Sequence, residues 1–236
     1  MASLVGDRTA RNRTSFARRA GDGAAVLGGV CVLVACGLVA RDGEVGPLET
    51  GAFRLVNDLP EGLAPVMQRA QYLGVLAVGP VVALGALALR RYRLALAAVL
   101  VTAGKLAGER IVWRFVERSR PGTSIVDAIV RGGAPTAGQS FVSGHVVLTT
   151  GLAWVVTPYL QGRWRLVPGV LAGLVAFARL YLGAHAPLDV AGGVGLGAAI
   201  GGAVCLLVGV PSAAGDAGPG ADGSLSQLGP PAADTP

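Results

Sequence analysis

The sequence predicts an all-α protein, a polytopic membrane helical bundle of about six transmembrane helices. Three observations predict it. Of 236 residues, 52% are hydrophobic and only 14% are charged, whereas a soluble domain of this size carries roughly 25% charged residues. The mean hydropathy is +0.58. The apolar residues gather into runs about long enough to cross the roughly 30 Å hydrocarbon layer, and the arginines lie mostly between the runs.

Residues 1–23 form a basic segment with Arg8, Arg11, Arg13, Arg18 and Arg19. The apolar run Ala24 to Ala40 exceeds the core of about 7–15 residues found in signal peptides, which favours a retained span over a cleaved leader. Residues 41–70 are polar, and the stretch within them bounded by Pro60 and Pro65 is expected to lie amphipathically at the interface. A second span is expected over 71–89, ending at Arg90-Arg91-Tyr92-Arg93, and a third over 94–112, interrupted by Lys105, Glu109 and Arg110. The longest polar stretch between spans, 113–142, is followed by spans over 143–160, 166–183 and 188–210. The membrane domain thus covers 24–210. The tail 211–236 is Pro, Gly, Ala, Ser and Asp with few large apolar residues, a composition that predicts disorder.

Basic residues of short loops mark the cytoplasmic side. The N-terminal segment, the 90–93 loop and the 161–165 loop fall on one side, so both termini are expected in the cytoplasm of a multi-pass cell-membrane protein. Segments 41–70, 113–142 and 184–188 then face the extracytoplasmic side. The stretch 113–142 breaks the charge rule with Arg114, Arg118, Arg120 and Arg131 and needs another reason for its charge.

The formal charge of +6 does not make a nucleic-acid binder, because the arginines form no stripe. Cys31, Cys36 and Cys205 lie inside apolar runs, where a thiol behaves as a small hydrophobe.

The chain has two histidines and one lysine, and both histidines fall on the outer face. A histidine at a membrane boundary is commonly just a polar boundary residue, but each of these has ionisable partners at close spacing. Pro187 suits the first turn of a helix, which leaves His185 near the N-cap and Asp189 one turn in. Residues four apart share a face, so Asp189 can accept a proton from one imidazole nitrogen and leave the other as a neutral nucleophile. An unpartnered Asp facing lipid would cost roughly 3 kcal/mol or more. Arg179 reaches the same face. Ser143-Gly144-His145 opens another helix, whose free N–H groups suit an anion, and Arg120 adds a planar donor for phosphate oxygens. A metal site is the rival reading of the histidine pair. The nearby carboxylates are few and the surrounding arginines would repel a cation, so no metal or other cofactor is expected.

These residues resemble the type-2 phosphatidic acid phosphatase superfamily, membrane lipid phosphatases whose phosphate pocket is shared with vanadium haloperoxidases. The family pattern is Lys, six residues, Arg-Pro; then Pro-Ser-Gly-His; then Ser-Arg, five residues, His, three residues, Asp. The chain has Arg120-Pro121, Ser143-Gly144-His145, and Arg179 with His185 and Asp189 at that spacing, over roughly residues 70–205. It departs from the pattern at Trp113, where the Lys would stand, at Val142 for the Pro, and at Ala178 for the Ser. Lys105 lies too far along its helix to substitute easily, so Arg114 or Arg118 is expected to supply the missing charge.

The resemblance implies a metal-independent hydrolase. His185 would attack phosphorus, Asp189 would orient it, and His145 would protonate the leaving oxygen and then help activate water. Arg120, Arg179, Ser143, Gly144 and Arg114 would bind the phosphate. The implied partners are membrane lipids, and the implied substrate is a lipid phosphate: a polyprenyl diphosphate of wall synthesis such as undecaprenyl diphosphate, a phosphatidate or a phosphatidylglycerophosphate. The departures keep a second reading open, a weakened or inactive member that binds or translocates lipid; a soluble haloperoxidase is at odds with the apolar runs. The Gly193, Gly197, Gly201 series has small-xxx-small spacing, which either packs helices within the protomer or mediates a homodimer.

Overall fold

Helix begins at Ala20, ahead of the first apolar run, in the computed structural model, which describes residues 15–211. Arg8, Arg11, Arg13 and the tail from Ser212 lie outside the described residues. The first helix, α1 (Ala20–Ala40), carries Asp22 fully buried near its start. Asp22 Oδ1 accepts from Arg19 Nη2 at 2.6 Å and from Trp154 Nε1 at 3.0 Å, so the acid is paired where isolation would be costly. The polar segment that follows folds into α2 (Pro47–Asn57) and α3 (Ala64–Ala70). In α2, Phe53 and Asn57 point inward while Leu48 and Leu55 stand exposed, as expected of an amphipathic helix at an interface.

Next come α4 (Val78–Ala88), α5 (Tyr92–Val112), the single turn α6 (Pro121–Ser124), α7 (Gly144–Val156), α8 (Val167–Tyr181) and α9 (Pro187–Val208). Two-residue strands, Phe16–Ala17 and Val210–Pro211, pair antiparallel and tie the two ends of the described chain together.

Six spans were expected; by length and apolarity alone, three segments among the described residues qualify, Ala20–Ala40, Gly162–Tyr181 and Pro187–Val208. The second expected span is broken, with Glu61–Gly74 and Val78–Ala88 meeting at 64°. Helix α5 is 21 residues long but carries Lys105, Glu109 and Arg110, and α7 has only 13 residues, about 20 Å of helix. The segments that fall short therefore include the two helices that bring polar groups or a histidine to the site.

Helix α9 is the axis of the bundle, packed against α1, α5 and α7. Its glycines make the close approach. A Cβ on Gly197 would sit 2.6 Å from the Val147 carbonyl and 2.7 Å from Thr150 Cβ, and one on Gly201 would meet Trp154 Cβ at 2.6 Å. The small-xxx-small series thus packs α9 on α7 inside the protomer, while Gly195 meets the Gly29 carbonyl on α1. Apolar side chains such as Leu27, Leu38, Val81, Leu84 and Val170 stand exposed around the bundle, as they do where lipid is the solvent.

Contacts sort the loops to two ends. Arg93 Nη1 donates to the Val208 carbonyl at 2.6 Å and Arg91 Nη1 to that of Tyr159 at 3.2 Å, beside the strand pair. At the other end, Arg131 explains part of the charge in 113–142. It is buried, stacks on the Tyr181 ring, and donates to the carbonyls of Asn57 at 2.6 Å and Tyr181 at 2.8 Å. Asn57 in turn holds Ile129 through two 2.8 Å bonds, so the loop is clamped onto the end of α8.

Candidate active site

The turn between α8 and α9 is shaped by Gly183. Its φ is +70°, a region that L side chains rarely adopt, and its Cα lies so close to the Ile129 carbonyl that a Cβ could not fit. The chain folds back on Arg179, whose carbonyl accepts the N–H of Ala184 at 3.1 Å and of His185 at 3.3 Å. Pro187 then opens α9, and Asp189 Oδ2 accepts the Ala186 N–H at 2.8 Å. His185 and Asp189 are thereby locked on one turn, with exposures of 3% and 0%.

Their contact differs from the expected direct hydrogen bond. His185 Nδ1 stands 3.7 Å from Asp189 Oδ2, beyond hydrogen-bond length. Ser140 fills the gap: its hydroxyl donates to Asp189 Oδ2 at 2.5 Å and lies 3.5 Å from His185 Nδ1. The other ring nitrogen, Nε2, faces Arg120 Nη1 at 3.4 Å. Burial strips water from His185, and although Asp189 favours the charged ring, Arg179 and Arg120 oppose it; the pKa is held down at about 4. At neutral pH the ring is uncharged.

Arg120 is anchored by carbonyls, Nη1 on Ala184 at 2.9 Å and Nε on Ala137 at 3.1 Å. Arg179 Nη1 donates to Gln71 Oε1 at 2.5 Å, while its Nε is buried without a partner among the described residues. Ser143 caps α7, its N–H bonded to the Asp189 carbonyl at 3.0 Å and its hydroxyl also buried and unpartnered. Buried polar groups are nearly always satisfied, so two idle donors from the expected phosphate-binding set ask for a ligand that accepts hydrogen bonds. Arg118 Nε is the third such atom, and nothing in the structure explains it.

His145 follows in the first turn of α7. Gly74 packs on it so closely that a Cβ there would lie 2.6 Å from His145 Cβ. Arg179, His185, Lys105 and Arg120 are near enough to act on its charge. The two histidines, Asp189, Arg120, Arg179, Ser143 and Gly144 are therefore brought together. Arg114 is not. Helix α5 ends at Val112, residues 113–115 form a turn, and Val116 and Arg118 beyond it face inward, leaving Arg114 exposed outside the cluster. Arg118 is inside but committed, with Nη1 on Asp189 Oδ1 at 3.0 Å and both Nη groups on Glu49.

Lys105, expected to be too distant, reaches the cluster from below. Its Nζ pairs with Glu109 Oε2 at 2.7 Å, and its Cε would touch a Cβ on Gly144 at 3.0 Å. The α7 start lies alongside the last two turns of α5 rather than at its end, so the sequence distance misleads. Trp113, at the family's lysine position, caps α5 and is 39% exposed. Val142 and Ala178 are buried in apolar clusters. Ser140, Gln71 and Glu49 were not singled out by sequence reasoning as site groups; only Ser140, three residues before Ser143, stood close enough to a motif to be suspected.

Residues 82–210 match the family model described as PAP2 superfamily, more than half of the chain. The chain belongs to the PAP2 superfamily. Among solved structures it is similar to Aquifex aeolicus LpxE, with 24% identity and a TM-score of 0.57 over 67% of this chain and 94% of that one. It is also similar to the transmembrane PAP2 type phosphatidylglycerolphosphate phosphatase from Bacillus subtilis, with 21% identity and a TM-score of 0.60 over 75% and 94%. These likenesses establish a shared fold, that of a helical membrane protein. No curated protein matches the chain.

Proposed function

We propose that this PAP2 superfamily member is an integral-membrane lipid phosphatase that works through a phosphohistidine, with its site on the extracytoplasmic face. The observation that carries the reading is His185: a buried, neutral imidazole with Nδ1 turned to Ser140 and Asp189 and Nε2 turned to Arg120, beside the idle donors of Arg179 and Ser143. His185 Nε2 attacks phosphorus and forms the P–N bond as the bond to the lipid oxygen breaks. His145 gives a proton to that leaving oxygen; burial and the surrounding Arg179, His185, Lys105 and Arg120 oppose its uptake of that proton, and the negative charge of the bound phosphate favours it. Water then attacks phosphorus, His145 takes a proton from it, the P–N bond breaks, and its electron pair returns to Nε2. Asp189 steadies the charge that His185 gains, and Arg120, Arg179 and the α7 N–H groups hold the phosphate oxygens. No metal is required, and the four cationic side chains grouped here disfavour one.

A lipid substrate is supported by the apolar side chains exposed around the bundle, such as Leu27, Leu84 and Val170. A monophosphate such as a phosphatidate or phosphatidylglycerophosphate and a polyprenyl diphosphate all satisfy this chemistry. The exposed Trp113 in place of the family lysine favours one other reading, lipid binding without turnover. Phosphate release from a lipid panel, measured in detergent with EDTA beside His185→Ala, separates the two. Release that survives EDTA and vanishes in the variant is expected; a well-folded protein that hydrolyses none of the lipids would leave the binding reading.

A further inference from the structure

Glu49 lies on the interfacial helix α2, far in sequence from every motif, yet its carboxylate makes three bonds into the site. It accepts from both Nη groups of Arg118 and, through Oε1, from the N–H of Leu188 at 2.8 Å. Arg118 has a fully buried side chain, and its remaining bonds go to Asp189 Oδ1 at 3.0 Å and the Glu44 carbonyl at 3.0 Å.

A guanidinium is a rigid fork that prefers to grip a carboxylate with two parallel bonds. Left alone beside Asp189, Arg118 would take both of its oxygens and draw Oδ2 away from the histidine. With Glu49 holding Nη2 and sharing Nη1, Arg118 gives Asp189 one bond, on Oδ1. Oδ2 is then left for Ser140, the Ala186 N–H and His185. The same carboxylate satisfies one of the free N–H groups in the first turn of α9, the turn that carries Asp189. Glu49 also offsets the charge of Arg118, so the negative charge of Asp189 stays available to His185.

We propose that Glu49 is a positioning residue that acts through Arg118 to aim Asp189 at His185. This rests on the phosphohistidine reading above. The charged and titratable groups around His185 are Asp189 from α9, Arg179 from α8, His145 from α7 and Arg120 from the loop before α6, with Arg118 behind Asp189.

The test uses the full chain in detergent and a lipid phosphate that the wild type hydrolyses and His185→Ala does not. Glu49→Gln keeps the shape and an acceptor for Leu188 but removes the charge. We expect kcat to fall about tenfold or more, as for a misaimed reacting group, with KM nearly unchanged and Tm lowered, because the buried Arg118 loses a charged partner. The acid limb of kcat/KM should move to lower pH, because uncompensated Arg118 makes His185 harder to protonate. Glu49→Asp keeps the charge but is too short to span Arg118 and Leu188; its kcat should fall while its acid limb stays at the wild-type pH. In a cycle with Arg118→Met, the double variant should lose no more than Arg118→Met alone. Unchanged kcat in Glu49→Gln, a loss carried by KM, additive losses, or a fall in Tm with no shift in the acid limb would each overturn the proposal. A wild type without turnover would overturn the functional reading and this proposal with it.

Discussion

The two histidines sit in opposite kinds of surroundings. His185 is enclosed, its ring held between Ser140 on one nitrogen and Arg120 on the other, on a turn fixed by Gly183 and Pro187. His145 is only half buried, makes no side-chain hydrogen bond among the described residues, and is restrained mainly by the close packing of Gly74. The difference matches the two tasks proposed for them. A nucleophile must present one nitrogen at one angle, and locking it lowers the entropy cost of attack. An acid and base must follow a departing oxygen and then an arriving water, which a locked ring would do poorly.

The strongest way to break this comparison is to remove each ring. His185→Ala should lower kcat by about 10⁴-fold or more for every substrate, since no neighbour can replace the attacking nitrogen. His145→Ala should cost about 10²–10⁴-fold on a lipid phosphate, but much less on an aryl phosphate whose leaving group needs no proton. Equal losses on both substrates would assign His145 to binding instead.

The idle donors give the next effect. Arg179→Met should lower kcat by about 10²–10³-fold and weaken inhibition by inorganic phosphate, measured as the inhibition constant. A variant that still binds phosphate like the wild type would remove Arg179 from the pocket.

Electrostatics gives a smaller and signed effect. The pKa of His185 is held near 4, so its neutral form persists well below the ordinary value of 6.5. Arg120→Met removes a neighbouring positive charge, so protonation becomes easier and the acid limb of kcat/KM should move to higher pH. The unfolded chain binds this proton below about 6.5 and the folded one only near 4, so acidification across that window should also erode stability. That erosion is readable as a falling Tm.

The smallest effect separates packing from chemistry. Gly197→Ala drives a methyl into the Val147 carbonyl and Thr150 and should cost about 1–3 kcal/mol. Gly173→Ala, with nothing within 4 Å of the new atom, should leave Tm nearly unchanged.

Much of the fold was legible because its signals are local. Apolar runs and the charges between them placed the helices within a few residues, and Pro187 marked the start of α9. The break between α3 and α4 was missed because the apolar run continues through it, although Gly74 and Gly79-Pro80 flank it as breaker residues. The motif residues His145, His185, Asp189, Arg120, Arg179 and Ser143 were found because they recur at short, fixed spacings. Arg114 was misplaced because spacing does not tell which way a side chain turns once its helix has ended.

What the sequence determined by itself is the membrane class, the placing of His185 and Asp189 on one turn, and the start of α9 at Pro187. All of these depend on composition or on neighbours within about one turn. Only the tertiary structure decided that Ser140 stands between His185 and Asp189, that Lys105 reaches Gly144, and that Glu49 holds Arg118. Each of those contacts joins elements far apart in the chain. They exist because close packing between helices, at glycines such as Gly144 and Gly197, brings buried charges to positions where each must find a partner or carry the cost of desolvation.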